Sequence, residues 1–174
     1  RGRGVIIPRP DGPWPWMSLD ESWSDPESKF NSKRRAHLRR MRRIAEEFGT
    51  VKSEILTPDP ATLTSRIEEA FAVEAASWKG KTGTAMALDR ERGDFYRLYA
   101  ADACRKGILR LGFLRIGNRA AAMHLAVEFG GGYWLLKIGY DAAFSPCSPG
   151  NLLVIETLRY AVARGLKSLS FLGA

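Results

Sequence analysis

One loop has the residue types of a phosphate-binding turn at the start of a helix, namely Ser145-Pro146-Cys147-Ser148-Pro149-Gly150-Asn151. Pro149 suits the first turn of a helix, because that position needs no N–H donor. Gly150 has no side chain, so a ligand can approach its backbone closely. N–H groups near Gly150, Asn151 and Leu152 and the positive end of the helix dipole would favour an anion. The sequence therefore predicts a phosphate site here, with an ordinary strand–turn–helix as the alternative.

A second candidate site is the segment Lys33–Arg43, in which seven of eleven residues are Lys or Arg. Leu38, Met41, Ala45 and Phe48 repeat at helical spacing and predict one narrow apolar face. Two interpretations stay open, which are a solvated basic face and a surface for a polyanion such as RNA. The absence of aromatic residues among the charges argues against base stacking.

Charge and composition favour a globular protein with anionic partners. The chain has 174 residues, 27 of them basic and 19 acidic, which gives a net charge of +8. Two cysteines form neither a disulfide framework nor a metal-binding spacing, and the two histidines lie far apart. We therefore expect a reducing, cytoplasmic setting and no metal. No apolar run is long enough to cross a membrane.

The elements that must position these sites follow from the hydrophobic periods and from the turn residues. Helices are predicted at 32–48 with Ser32 as its cap, after Asp59 with Pro60 in its first turn, at about 89–106, and after Pro149. Strands are predicted at 51–56, 108–116, 119–129, 133–140 and 168–171. Gly117-Asn118 predicts a tight hairpin between two of them. The chain before residue 32 reads as irregular, since it is rich in proline.

Several segments resemble a branch of the GNAT acetyltransferase superfamily, the CelD-like domain associated with cellulose biosynthesis, which is related to the Fem-type aminoacyltransferases. The segments are KRRAHLRRMRRIAEEFG at 33–49, SWKGKTGTAM at 77–86, FYRLYA at 95–100, LRLGFLRIGNRAAAMHLAV at 109–127, YDAAFSPCSPGNLLVIETLRYA at 140–161 and FLGA at 171–174. The resemblance implies an α+β fold with a GNAT-like mixed, mostly antiparallel sheet and flanking helices. It also implies a domain at 32–174 that lacks its final elements, preceded at 1–31 by the tail of another half-domain.

The resemblance implies an acyl-CoA-dependent N- or O-acetyltransferase. Acetyl-CoA would be the co-substrate, no metal would be needed, and the acceptor would be a sugar, a polysaccharide or a cell-envelope precursor. Two alternatives stay open. One is an aminoacyltransferase that uses aminoacyl-tRNA, with the tRNA or another polyanion bound at Lys33–Arg43; the other is a non-enzymatic module that binds a polyanion there.

The resemblance also distributes roles among the residues. Backbone N–H groups around Lys137, Ile138 and Gly139 would polarise the thioester carbonyl, and Ser148, Gly150, Asn151 and Leu152 would hold the pyrophosphate. The candidates for the general base are His124, Glu128 and Asp141. A structural role in its strand is the alternative for His124.

The last predicted strand, Ser168–Phe171, would lie inside a complete sheet of this kind. Since the chain stops at Ala174, one edge of this strand would have no partner within the chain. An unpaired edge attracts other strands. We therefore expect another chain or segment to cover this edge, or a homo-oligomer to form through it.

Overall fold

A computed structural model describes residues 15–77 and 89–171, which form an α+β fold with helices on both faces of one sheet. The strands are β1 (Trp16–Ser18), β2 (Val51–Leu56), β3 (Leu109–Ile116), β4 (Arg119–Phe129), β5 (Gly132–Tyr140) and β6 (Ser168–Phe171). The helices are α1 (Ser32–Phe48), α2 (Leu63–Ala75), α3 (Arg90–Arg105) and α4 (Pro149–Ala163), with short 3-10 turns at Glu21–Ser24, Pro26–Lys29 and Ala142–Cys147. Of the segments that carry the resemblance, 77–86 and 171–174 lie almost entirely outside the described residues.

The six strands are arranged in the order β1-β6-β5-β4-β3-β2. Neighbouring strands run antiparallel except β5 and β6, which are parallel over Gly132–Leu135 and Ser168–Phe171. The connection between these two strands passes through α4, as a parallel pair requires. The predicted α+β class, with a mixed, mostly antiparallel sheet and flanking helices, is confirmed.

Side chains of β4 alternate between two apolar layers. Ala122 and Ala126 belong to the core beneath α1 and α4, whereas Met123 and Leu125 belong to the core beneath α2 and α3. Alanines on the first side let α4 lie close to the sheet. This packing fixes the start of α4 next to the end of β5.

The prediction that one edge of β6 has no partner within the chain is wrong, because β1 covers that edge. Of the expected alternatives, coverage by another segment is the one observed. Trp16–Ser18 pairs antiparallel with Ser168–Ser170, and the Leu19 N–H donates to the Lys167 carbonyl at 2.8 Å. The predicted homo-oligomer through that edge therefore loses its basis. A strand of three residues near several prolines has no recognisable period, and its partner lies about 150 residues away, so the sequence did not reveal it.

Two helix starts also differ from the predictions. The side chain of Asn31, and not that of Ser32, caps α1 by accepting the Arg34 N–H at 2.9 Å. Asp59 accepts the Thr62 N–H at 2.8 Å within a turn, and α2 begins only at Leu63. No helix within the two described ranges is long and apolar enough to span a bilayer.

Candidate functional site

A cleft lies where β5 ends and α4 begins, and we call it the β5–α4 cleft. Its inner part has an empty volume of about 590 Å³ and is lined by Ser77, His124 and Gly139 among others. Its outer part has an empty volume of about 980 Å³ and reaches Ser148 and Phe171. The two parts are continuous, since both are lined by Ile138, Tyr140, Gly150 and Val154.

The backbone turn before α4 leaves one N–H group available to a ligand. Ser148 adopts the left-handed conformation (φ 47°, ψ 56°), and its carbonyl accepts the N–H groups of Asn151 at 3.0 Å and Leu152 at 3.4 Å. These two N–H groups therefore do not point out of the loop as the sequence suggested. The Gly150 N–H makes no hydrogen bond to another described residue. Of the three predicted donors, Gly150 alone fits an anion.

Gly150 also keeps the cleft open. A Cβ atom built on Gly150 would have no protein atom within 4 Å, so the space beside its backbone belongs to the cleft. Pro149 is buried behind it in the first turn of α4. A ligand can thus reach the start of the helix, where the helix dipole favours negative charge.

Arg34 brings a positive charge to the same cleft from α1. Its exposed side chain lines the outer part together with Ser148 and Gly150, and its guanidinium lies 5.0 Å from the ring centre of Phe30. In the sequence, Arg34 is only one of seven basic residues in its segment. Its distinct position depends on how α1 packs beside α4, which has no local signal.

His124 borders the inner part of the cleft but is 1% exposed. Its ring lies over Gly112, where an added Cβ would come within 2.1 Å of Cε1. Nε2 lies 2.8 Å from the hydroxyl of Tyr133, and the hydroxyl of Thr157 lies 3.5 Å from Nδ1. Burial lowers the pKa of His124 to about 3, because the charged imidazolium would lose its hydration.

Glu128 is not among the residues that line the cleft. Its carboxylate contacts Arg110 at 2.9 Å and Arg164 at 3.0 Å, and it accepts the hydroxyl of Tyr160 at 3.3 Å. Burial opposes the charge of Glu128, but its arginine partners hold its pKa below the usual value. Glu128 lies on β4 four residues beyond the cleft residue His124, which corresponds to about 13 Å along the strand.

Asp141 follows the cleft residue Tyr140, but its carboxylate is already occupied. One oxygen lies 2.6 Å from a guanidinium nitrogen of Arg119, and the other accepts the Ala143 N–H at 2.9 Å. This arrangement caps the 3-10 turn that leads to α4. Asp141 thus holds the loop in place.

The segment Lys137–Gly139 divides between the two faces of β5. Ile138 lines the cleft from one face, whereas Lys137 and Gly139 are directed to the other face, where the ammonium of Lys137 lies 5.3 Å from the ring centre of Tyr96 on α3. The backbone of Gly139 also lines the cleft. A Cβ on Gly139 would lie 3.1 Å from Cα of Glu74, a fully buried residue near the end of α2. Glu74 was missed by sequence reasoning, because a glutamate in an amphipathic helix is normally assigned to its exposed side.

Phe171, Ser77 and Val154 complete the walls of the cleft and were likewise not singled out from the sequence. They come from β6, the end of α2 and α4, and only the packing of these elements brings them together. Within residues 15–77 and 89–171, no group of three or more His, Cys, Asp or Glu side chains is arranged to hold a metal ion.

Residues 32–174 match the family described as "Acetyltransferase (GNAT) domain". Among solved structures, the chain is similar to a conserved protein of unknown function from Bacteroides thetaiotaomicron, with a TM-score of 0.59 and 13% identity over 90% of this chain and 52% of that chain. It thus spans about half the length of that protein, and the likeness shows the fold alone. No curated protein matches the chain.

Two further solved structures are more distant. One is the PaiA N-acetyltransferase from Thermoplasma acidophilum in complex with coenzyme A, with a TM-score of 0.42 and 11% identity over 66% of this chain and 75% of that chain. The other is the C-terminal domain of a putative lysylphosphatidylglycerol synthetase from Agrobacterium fabrum, with a TM-score of 0.48 and 13% identity over 83% of this chain and 43% of that chain. Their TM-scores are too low to support an argument about this chain.

Proposed function

Since the chain belongs to the GNAT acetyltransferase domain family, we propose that it transfers an acetyl group from acetyl-CoA to an amino or hydroxyl acceptor. Family membership supports acyl transfer in general. The observation that carries the choice of donor is the β5–α4 cleft, which ends at the Gly150 N–H and at the guanidinium of Arg34.

The residues of the cleft fit the two ends of a CoA molecule. The diphosphate would lie against the Gly150 N–H and the start of α4, with Arg34 supplying a positive charge. The pantetheine arm would run along the apolar walls formed by Ile138, Val154 and Phe171. The thioester would then reach the inner part, next to the backbone of Gly139, whose missing side chain lets Glu74 of α2 pack closely behind it.

Acyl transfer there requires that the acceptor lose a proton as its nitrogen or oxygen attacks the thioester carbon. The new bond forms as the carbon–sulfur bond breaks, and the sulfur leaves as a thiolate that takes up a proton. The N–H groups of β5 beside Gly139 that point away from β4 would stabilise the negative charge on the carbonyl oxygen, because the Gly139 N–H itself faces Met123 within the sheet.

Among the three candidate bases we place His124 alone at the cleft. Its imidazole is neutral at physiological pH, because burial lowers its pKa to about 3. A group with that pKa holds a proton weakly, and its two ring nitrogens face the hydroxyls of Tyr133 and Thr157, so we assign His124 to supporting the wall of the cleft rather than to storing the proton of the acceptor. Glu128 and Asp141 are assigned to ion pairs that stabilise the fold.

The acceptor class that we propose is a sugar, a polysaccharide or a cell-envelope precursor. This choice rests on the resemblance of the segments at 33–49 and 140–161 to the CelD-like branch. Transfer of labelled acetyl groups to a panel of amino sugars and oligosaccharides tests it.

The donor site is tested by calorimetry with CoA on the variant Gly150→Val. The added methyl groups would meet no protein atom near Cβ, so they should crowd only the ligand. We expect a loss of about 1–3 kcal/mol in binding free energy, comparable to one or two charge-assisted hydrogen bonds. Ala163→Val, at the exposed far end of the same helix, serves as the matched control and should bind CoA as the parent chain does. Equal CoA affinity in a folded Gly150→Val variant would overturn the site assignment.

A further inference from the structure

The solvent-facing side of α1 carries four positive charges, on Lys33, Arg39, Arg40 and Arg43, and we call it the basic face of α1. All four side chains are exposed, and none is in an ion pair with another described residue. Arg42, on the inner side of the same helix, behaves differently because it contacts Glu27 at 2.7 Å and Glu156 at 3.6 Å. The charge of the basic face is therefore not neutralised by the described parts of the chain, and it remains available to a partner.

The N-terminal end of α1 lies at the outer part of the β5–α4 cleft. Arg34, which lines the outer part of the cleft, is adjacent to Lys33 in the first turn of α1. A partner bound along α1 would thus have one end beside the start of α4. This continuity links the surface to the acyl donor, since the donor enters through the same opening.

We propose that the basic face of α1 docks an acidic helix of a carrier protein that bears the acyl group on a phosphopantetheine arm. The proposal rests on the proposed function, because the arm would occupy the cleft assigned to the pantetheine of CoA. The transfer balances in the same way as with CoA. The acceptor forms a bond to the acyl carbon, the carbon–sulfur bond breaks, and the thiolate of the arm takes up the proton that the acceptor loses.

The arrangement of the charges favours a protein helix over a nucleic acid. Arg39 and Arg43 are four residues apart on one helix, a repeat that carboxylates on a second helix can match. No aromatic side chain lies among residues 33–43, whereas single-stranded nucleic acids are usually held by base stacking. An acidic helix requires only exposed cations for its binding, and the basic face supplies them.

The test compares two acyl donors on the same chain, acetyl-CoA and a small acidic acyl carrier protein loaded with an acetylated phosphopantetheine arm. Binding of both is measured by calorimetry for the parent chain and for the double variant Arg39→Glu/Arg43→Glu. The matched control is Lys52→Glu/Lys167→Glu, which makes the same change in net charge at two exposed lysines outside α1. A tRNA is titrated in parallel.

We expect the parent chain to bind the loaded carrier more tightly than acetyl-CoA. In the double variant, the ratio of carrier affinity to CoA affinity should fall by about tenfold or more, since charge pairs at interfaces couple strongly. The control variant should keep the ratio of the parent chain.

Two results would overturn the inference while leaving the proposed function intact. One is that CoA binds, the loaded carrier binds no more tightly than CoA, and the ratio of the two affinities is the same in the parent chain, the double variant and the control variant. The other is that tRNA binding depends on Arg39 and Arg43 and carrier binding does not, which would assign the basic face to a nucleic acid. If neither CoA nor the carrier binds, the proposed donor cleft and the docking surface are both wrong.

Discussion

The buried imidazole of His124 predicts that the chain loses stability when the pH falls from 7.5 to 5.5. In the folded state the ring is 1% exposed and its pKa lies at about 3, below the ordinary value of 6.5. In the unfolded chain the same ring is hydrated and takes up a proton near its ordinary pKa. Between these two pKa values the unfolded state binds one more proton than the folded state, so the free energy of unfolding rises with pH in this window.

The magnitude follows from the linkage relation. Each pH unit below the unfolded pKa costs about 1.4 kcal/mol of unfolding free energy, until the folded pKa is reached. From pH 7.5 to 5.5 the loss is therefore about 1.4 kcal/mol. Carboxylates such as Glu69, whose pKa is lowered by hydrogen bonds from Arg115, lose their stabilisation only as the pH falls through their own lower range.

Urea unfolding at pH 7.5 and 5.5 measures this difference directly. His124→Gln should be less stable at both pH values, because the ring packs on Gly112 and bonds to Tyr133, but most of the pH dependence should disappear. His37→Gln is the control, since His37 is the only other histidine and is exposed on α1. If His124→Gln keeps the full pH dependence of the parent chain, the burial argument for His124 is refuted.

Two further predictions concern the packing of the sheet. Gly112→Ala should destabilise the fold by about 1–3 kcal/mol in urea unfolding, because its Cβ would overlap the His124 ring, whereas Gly150→Ala, which meets no protein atom, should not. Met17→Pro should cost about 1–3 kcal/mol by removing the N–H donor opposite Leu169, and it should promote self-association in sedimentation experiments because β6 becomes an open edge. A stable monomeric Met17→Pro variant would show that β1 does not protect that edge.

Local sequence signals accounted for most elements. The ranges predicted for α1, β2, β4 and β6 agree with the observed ones. Each segment has a hydrophobic period of 3.6 or 2, and α1, β2 and β4 are followed by a glycine or another turn residue. The hairpin at Gly117, which has a φ of 59°, was predictable for the same reason. The loop before α4 was also predictable, since proline and glycine at a helix start act within a few residues.

Long-range packing decided what the sequence could not. The pairing of Trp16–Ser18 with β6 joins segments about 150 residues apart, and no property of either segment specifies the other. The same holds for Arg34, which became a cleft residue only because α1 packs beside α4. The other basic residues of its segment have the same kind of charged side chain, but they do not line the outer part of the cleft.

The candidate bases show most clearly what the sequence determines and what only the tertiary structure decides. Residue type and position in β4 made both His124 and Glu128 candidate bases in the sequence, since both lie on the face that carries the alanines. The sheet then placed His124 beside the cleft and Glu128 among Arg110 and Arg164 near the opposite end of β5. Sequence by itself determined which side chains can carry or accept a proton. The tertiary structure decided which of them meets the cleft, because burial and ion pairing depend on elements that are distant along the chain.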